Sequence, residues 1–210
     1  MDQKITVHKI MWRKLHSDED LAIHNSTMPT LIETHSACIE RFRATMNLIG
    51  PGPVSFHIQD AEKALHGLDA KGYWADFGTG AGFPGLVFAH LYPAVQLDLV
   101  DSRQKRCWFL NHVLQQAERN PADGKLAVHC TRIEQLRGGP YDGVTARALA
   151  PPDKVMDYAK PHLKIGGRLV LLLQETQTLS VSPGYVMDWE RSYTISGKQR
   201  KTSVLRRVDE

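Results

Sequence analysis

From Tyr73 to Leu173 the chain repeats one order of events: a short run rich in β-formers, then a longer stretch with helical spacing. Strands are expected at Tyr73–Phe77, Gln96–Asp101, Leu126–Cys130, Gly143–Ala146 and Arg168–Leu173, with helices near Phe83–Leu91, Ser102–Ala117 and Pro152–Leu163. Few architectures accept such a pattern. Parallel neighbours cannot be joined by a tight hairpin, and a helical crossover supplies the length they need. The alternation therefore predicts βαβ units around a mostly parallel sheet covered on both faces. The end of the chain departs from this: Tyr185–Ile195 and Thr202–Val208 read as two strands joined by the turn-prone Ser196-Gly197, an antiparallel hairpin at the sheet edge.

Upstream the period is helical. Thr30-Leu31-Ile32-Glu33 resembles a capping box, and Ile32, Cys38, Ile39 and Phe42 follow at helical spacing. Gly50-Pro51-Gly52-Pro53 cannot continue a helix, so a turn is expected before a second helical stretch near Gln59–Leu68. The expected organisation is an N-terminal helical extension over 1–70 and a Rossmann-like α/β domain over 71–210, with a seven-stranded sheet.

Composition excludes more than it selects. Hydrophobic residues make up 42% of the chain, enough for one sizeable core. A net charge of +3 is compatible with a nucleic-acid partner without demanding one. Cys38, Cys107 and Cys130 show no Cys-x-x-Cys spacing and read as reduced, mostly buried thiols. No His-x-x-x-His pair occurs, so no metal is expected. No apolar run could span a bilayer and no h-region follows Met1, so a cytoplasmic protein without membrane attachment is expected, as a monomer.

Chemistry concentrates where the first strand meets a helix, at Gly78-Thr79-Gly80-Ala81-Gly82. Glycine lets the backbone turn tightly and approach a ligand with no Cβ between, and in open α/β sheets the ligand crevice lies at this end of the strands. A dinucleotide fingerprint would need its third glycine at position 83, which is Phe83. Asp101 follows the loop at roughly the spacing of a ribose-binding acid, about 20 residues; it reads equally as a helix N-cap aided by Ser102. With the turn Leu163-Lys164-Ile165-Gly166-Gly167-Arg168, these features resemble the Rossmann-like methyltransferases and imply S-adenosylmethionine as cofactor.

Within that class the resemblance narrows to the glucose-inhibited division protein B family. Asp76-Phe77-Gly78-Thr79-Gly80-Ala81-Gly82-Phe83-Pro84-Gly85 resembles its D-x-G-[ST]-G-x-G-[FL]-P-G loop, and Asp101-Ser102-Arg103-Gln104-Lys105-Arg106-Cys107-Trp108-Phe109-Leu110 its D-S-x-x-K-R-x-x-F-L. Thr131-Arg132-Ile133-Glu134 and Ala146-Arg147-Ala148 resemble S-R-[VI]-E and S-R-A, while Met46-Asn47-Leu48 and His57-Ile58-Gln59-Asp60 echo W-N-L-T and H-[IF]-x-D-S. The resemblance implies methylation of guanine N7 in 16S ribosomal RNA, on the RNA or the small ribosomal subunit. It carries cofactor contacts onto Gly78, Phe83, Ile133, Glu134 and Arg147, beside Gly80 and Gly82 from the loop itself and Asp101 after it. Arg147 is also the candidate catalytic residue. Read without the family, Phe83 and Ile133 are core and Glu134 and Arg147 surface charges. Candidate RNA cations are Arg103, Lys105 and Arg106, and the cluster Lys198, Arg200, Lys201, Arg206 and Arg207. The chain departs from the family at Met46, in place of tryptophan, and at Leu173, in place of lysine. The rival readings are a methyltransferase for a small molecule or protein and a non-catalytic cofactor- or RNA-binding relative.

Overall fold

The computed structural model describes residues 29–118 and 125–209; the helical reading of residues 1–28 lies outside them. Two helices come first, α1 (Leu31–Met46) and α2 (Val54–Leu65). Then follow β1 (Tyr73–Phe77), α3 (Gly85–Leu91), β2 (Gln96–Asp101), α4 (Gln104–Gln116), β3 (Leu126–Cys130), β4 (Tyr141–Arg147), α5 (Pro152–Ala159), β5 (Leu163–Gln174), β6 (Tyr185–Ile195) and β7 (Lys198–Arg207). All seven strands join one sheet in the order β3-β2-β1-β4-β5-β7-β6. The first five run parallel, and β7 pairs antiparallel with both β5 and β6. Strand order reverses at β1, which pairs with β2 on one side and β4 on the other. That reversal opens a crevice outside the carboxyl ends of the strands.

Period-two alternation divides the core. From β1, Trp74 enters one cluster with Leu65, Phe88, Leu99, Phe109 and Leu110, while Phe77 enters the other with Tyr141, Met156, Leu171 and Leu205. The first cluster also contains Leu31, Ile39 and Ala61 of α1 and α2. The two helices are therefore part of the α/β core, and the compact unit starts at Leu31 rather than at residue 71.

Several boundaries moved for local reasons. α2 starts at Val54, directly behind Pro53, because a proline flanking the first turn forfeits no helical hydrogen bond. α3 starts at Gly85, not Phe83, since the glycine loop runs on as turns to Pro84. α5 stops at Ala159: Pro161 has no N–H to continue it, a 3₁₀ turn takes Lys160–His162, and β5 begins at Leu163 rather than Arg168. β7 begins at Lys198 rather than Thr202, because Ser196 and Gly197 both adopt positive φ and close a two-residue hairpin with Ile195 opposite Lys198. Cys38 and Cys107 are buried as expected, whereas Cys130, at the end of edge strand β3, is exposed.

Candidate functional site

The glycine loop is pinned before any ligand is considered. The Gly78 and Thr79 amides both donate to the Val100 carbonyl, at 2.9 and 3.0 Å, tying the end of β1 to the end of β2. Gly78 has φ +68°, and a Cβ there would lie 2.6 Å from Leu149 Cδ1. Gly80 has φ +60° and nothing within 3.8 Å of its Cβ position, leaving its backbone open to the crevice. Its N–H donates to Asp101 Oδ2 at 3.0 Å, while Oδ1 accepts from the Arg103 amide at 2.8 Å. Asp101 thus braces the glycine loop and the turn that leads into α4, whose N-cap is Arg103 with no side-chain cap, and each oxygen keeps a further lone pair.

Asp76, the first residue of the motif, works inside the protein. It is fully buried and accepts from the Gly85 amide at 3.0 Å and Thr145 Oγ1 at 2.7 Å. Burial pushes its carboxyl up to about 6. Behind the loop, His35 of α1 is buried too, and burial lowers it to about 4, so it is neutral and donates from Nε2 to the Ala81 carbonyl at 2.6 Å. Gly82 faces the same way: a Cβ there would meet Leu86 Cδ1 at 2.7 Å and His35 at 3.1 Å. Gly82 therefore serves the packing of α1 and α3 against the loop and does not line the crevice.

The opposite wall is assembled from distant segments. Arg147 ends β4, its guanidinium 5.3 Å from the Phe83 ring centre and Nη1 3.3 Å from Asp60 Oδ2 on α2. Asp60 accepts through its other oxygen from the Tyr193 hydroxyl at 2.9 Å, on β6. His57, one turn before Asp60, packs 5.5 Å from Phe83. Burial and the nearby Arg147 lower its pKa, so it is neutral at pH 7. Between the walls lies a cavity of about 540 Å³ lined by Gly78, Gly80, Phe83, Asp101, Ile133, Glu134 and Arg147 among others. Seven of the eight sequence-predicted residues thus converge there, Gly82 excepted. Phe83 and Ile133 are core and lining together, at 3% and 8% exposure. Sequence reasoning gave no role to Asp60 and His57; their i, i+3 spacing put both on one helix face, but nothing local said what that face would meet.

The candidate cations scatter. Arg103 and Arg106 line the cavity rim, and Arg106 also donates to the Asn47 and Leu48 carbonyls, tethering α4 to the segment after α1. The tail cluster does not act as a unit. Lys198 lies over Phe56 on α2, and Arg200 pairs in register with Tyr193 of the Arg147 network. Lys201 sits 3.6 Å from Glu190, Arg206 bonds Asp188 at 2.9 Å and Arg207 donates to the Leu163 carbonyl. Arg206 pairs opposite Arg168, at the amino end of the central part of β5, about 20 Å along the strand from Arg200. Arg206 and Arg207 are thus remote from the crevice. Leu173 is buried in the second core cluster opposite Lys201, so that departure from the family lies outside the cavity lining. Among the described residues no group of His, Cys, Asp and Glu could hold a metal ion, and no helix is long and apolar enough to cross a membrane.

The sheet order, the reversed last strand and a glycine loop braced by the acid that ends β2 define a class I S-adenosylmethionine-dependent methyltransferase. Two solved structures share the fold: a methyltransferase from Pyrococcus furiosus (TM-score 0.59, 16% identity, 82% of this chain and 95% of that one) and P. horikoshii TYW2 in complex with MeSAdo (TM-score 0.55, 13% identity, 75% and 64%). The chain belongs to the GidB family, described as rRNA small subunit methyltransferase G, which matches residues 31–185. It is 36% identical over 147 residues to the ribosomal RNA small subunit methyltransferase G of Paramagnetospirillum magneticum, covering 67% of this chain and 68% of that one.

Proposed function

We propose that the protein transfers the methyl group of S-adenosylmethionine to guanine N7 of 16S ribosomal RNA, in the cytoplasm, on the RNA or the assembled small subunit. The observation that carries this reading is the cavity, with an acid on one wall and a part-buried cation on the other. Its volume of about 540 Å³ suits a cofactor-sized ligand, and the open approach at Gly80 lets backbone come close. The free lone pairs of Asp101 would accept from the two ribose hydroxyls, Ile133 and Glu134 would border the adenine, and Phe83 would close the pocket beside Gly78. Arg147, held by Asp60, offers a cation to the cofactor carboxylate or an RNA phosphate.

When bound, the cofactor supplies a methyl group already activated on a sulfonium. Guanine N7 carries an in-plane lone pair and no proton at neutral pH, so the chain needs no general base. Its residues bind, orient and exclude water. Reaching one base in folded RNA calls for a splayed nucleotide from a single-stranded loop.

The test is labelled-methyl transfer to unmodified small ribosomal subunits, with the product nucleoside identified by mass spectrometry. 7-Methylguanosine is expected. A methyl on another atom, or on a non-RNA acceptor, would overturn the substrate; cofactor binding with no transfer to any ribosomal particle would favour a non-catalytic relative.

A further inference from the structure

Helix α4 carries, outside the cavity, an aromatic surface that neither the core nor the cofactor site uses. Trp108 is 52% exposed, whereas its counterpart Trp74 is 2% exposed in the core. It is held flat: its ring stacks on His112 at 5.3 Å and 8°, four residues on, and meets the edge of Phe42 from α1 at 5.4 Å and 90°. Among the described residues no acceptor meets its indole N–H. A large ring with a preset orientation, an unpaired donor and half its surface bare is built for contact rather than for packing.

The surroundings give that contact a charge. α4 reads Gln104 to Gln116 without one acidic residue. Lys105 is one turn before Trp108 on the same face and exposed, and Arg41 lies 5.3 Å from the Phe42 ring centre. The nearest acid of α1, Glu40, is bound to Arg43 at 2.9 Å. The face also joins the cavity. A groove of about 470 Å³ is lined by Met46, Asn47, Arg103, Gln104, Lys105 and Arg106. Arg103 and Arg106 line the cofactor cavity as well. From Arg103 to Trp108 is about 7 Å along the helix axis.

We propose that this face is a second RNA subsite: Trp108 stacks a base of the single strand flanking the target nucleotide, and Lys105 binds a phosphate of that strand. Stacking platforms beside a cationic track are how proteins hold single strands without reading sequence. The inference rests on the ribosomal RNA reading above.

The experiment measures binding of unmodified small ribosomal subunits across a salt series, S-adenosylmethionine affinity by calorimetry, and sedimentation, for wild type, Trp108→Ala, Trp108→Phe and Lys105→Ala. Trp108→Ala should weaken subunit binding by roughly 5- to 150-fold with an unchanged salt slope, and Trp108→Phe should restore most of it. Lys105→Ala should flatten the slope by about 0.7. Cofactor affinity should stay at the wild-type value in all three. Subunit affinity unaltered in Trp108→Ala would overturn the subsite while leaving methylation intact. Equal loss of cofactor affinity would make Trp108 a packing residue, and a wild-type dimer that Trp108→Ala dissociates would make the face a self-association surface; both overturn the proposal. A wild-type protein that binds cofactor but no subunit would fail at the ribosomal RNA reading itself, and the subsite would fall with it.

Discussion

The two walls of the cavity are built in opposite ways. On the Asp101 wall everything is close in sequence: two successive strands, the glycine loop after the first and the start of the helix after the second, locked by backbone amides onto Val100 and Asp101. On the Arg147 wall nothing is. Arg147, Asp60 and Tyr193 come from β4, α2 and β6, and the cation is held only because three elements meet. A wall made of backbone tolerates changes elsewhere and fails when its own residues change. A wall made of tertiary contacts fails when any contributor is lost. The part-buried Arg147–Asp60 pair sharpens this, because removing one partner leaves the other's charge largely shielded from water.

The largest effects should therefore come from the second wall. Asp60→Ala should cost about 3 kcal/mol of stability, seen in chemical denaturation, and should lower turnover although Asp60 need not touch substrate. Arg147→Ala should reduce kcat by roughly 100-fold or more, and Arg147→Lys should not rescue it, since an ammonium cannot span Asp60 and the crevice together. Near-wild-type turnover in Arg147→Ala would show that the wall is structural only.

On the first wall, Asp101→Ala should weaken S-adenosylmethionine binding by roughly 10- to 150-fold. Its melting temperature should fall as well, because the Gly80 and Arg103 amides lose their acceptor. A lower melting temperature with unchanged affinity would reduce Asp101 to a brace. Gly80→Val should abolish binding in a folded protein, since φ +60° suits glycine and its side chain would enter the approach.

A smaller, pH-dependent effect sits behind the loop. His35 is held neutral at about 4, below its free value, so its contribution is complete above about pH 6.5 and is lost as pH falls toward 4. Asp76, raised to about 6, acts in reverse: its contribution is present below about pH 4 and is lost as pH rises through 6. Between pH 6 and 4 the two oppose each other. His35→Gln keeps a donor for Ala81 and removes the titration, leaving the Asp76 effect unopposed, so its melting temperature should rise relative to wild type as pH falls from 6.5 to 4.5. An identical pH profile would refute the assignment.

Smallest of all should be Arg206→Ala with Arg207→Ala. Remote from the crevice, with Arg206 paired to Asp188 and Arg207 to the Leu163 carbonyl, the pair should leave subunit affinity within roughly two-fold. Lys198→Ala with Arg200→Ala, at the crevice end of β7, should flatten the salt slope. The reverse outcome would move the RNA path to the far end of the hairpin.

Much of the first wall was legible in the chain. Strand period, the glycine spacing and an acid at the end of the next strand are local signals, since each depends on the backbone conformation of a few consecutive residues. That is why β1, β2 and β3 fell where alternation put them and why Gly78, Gly80 and Asp101 line the cavity. Proline and turn chemistry shifted α2, α5 and β7 by a few residues, because a boundary is decided by one missing N–H or one closed hairpin rather than by the period. Tertiary structure decided the rest. Gly82 carries the motif's spacing yet packs against Leu86 and His35, and a cation cluster close in sequence was divided along a 10-residue strand. Which charge meets which depends on strand register and on helices packed from far along the chain. No property of Arg147 or Asp60 alone says that they share a wall: that follows from the sheet reversing at β1 while α2 and β6 close over the same edge.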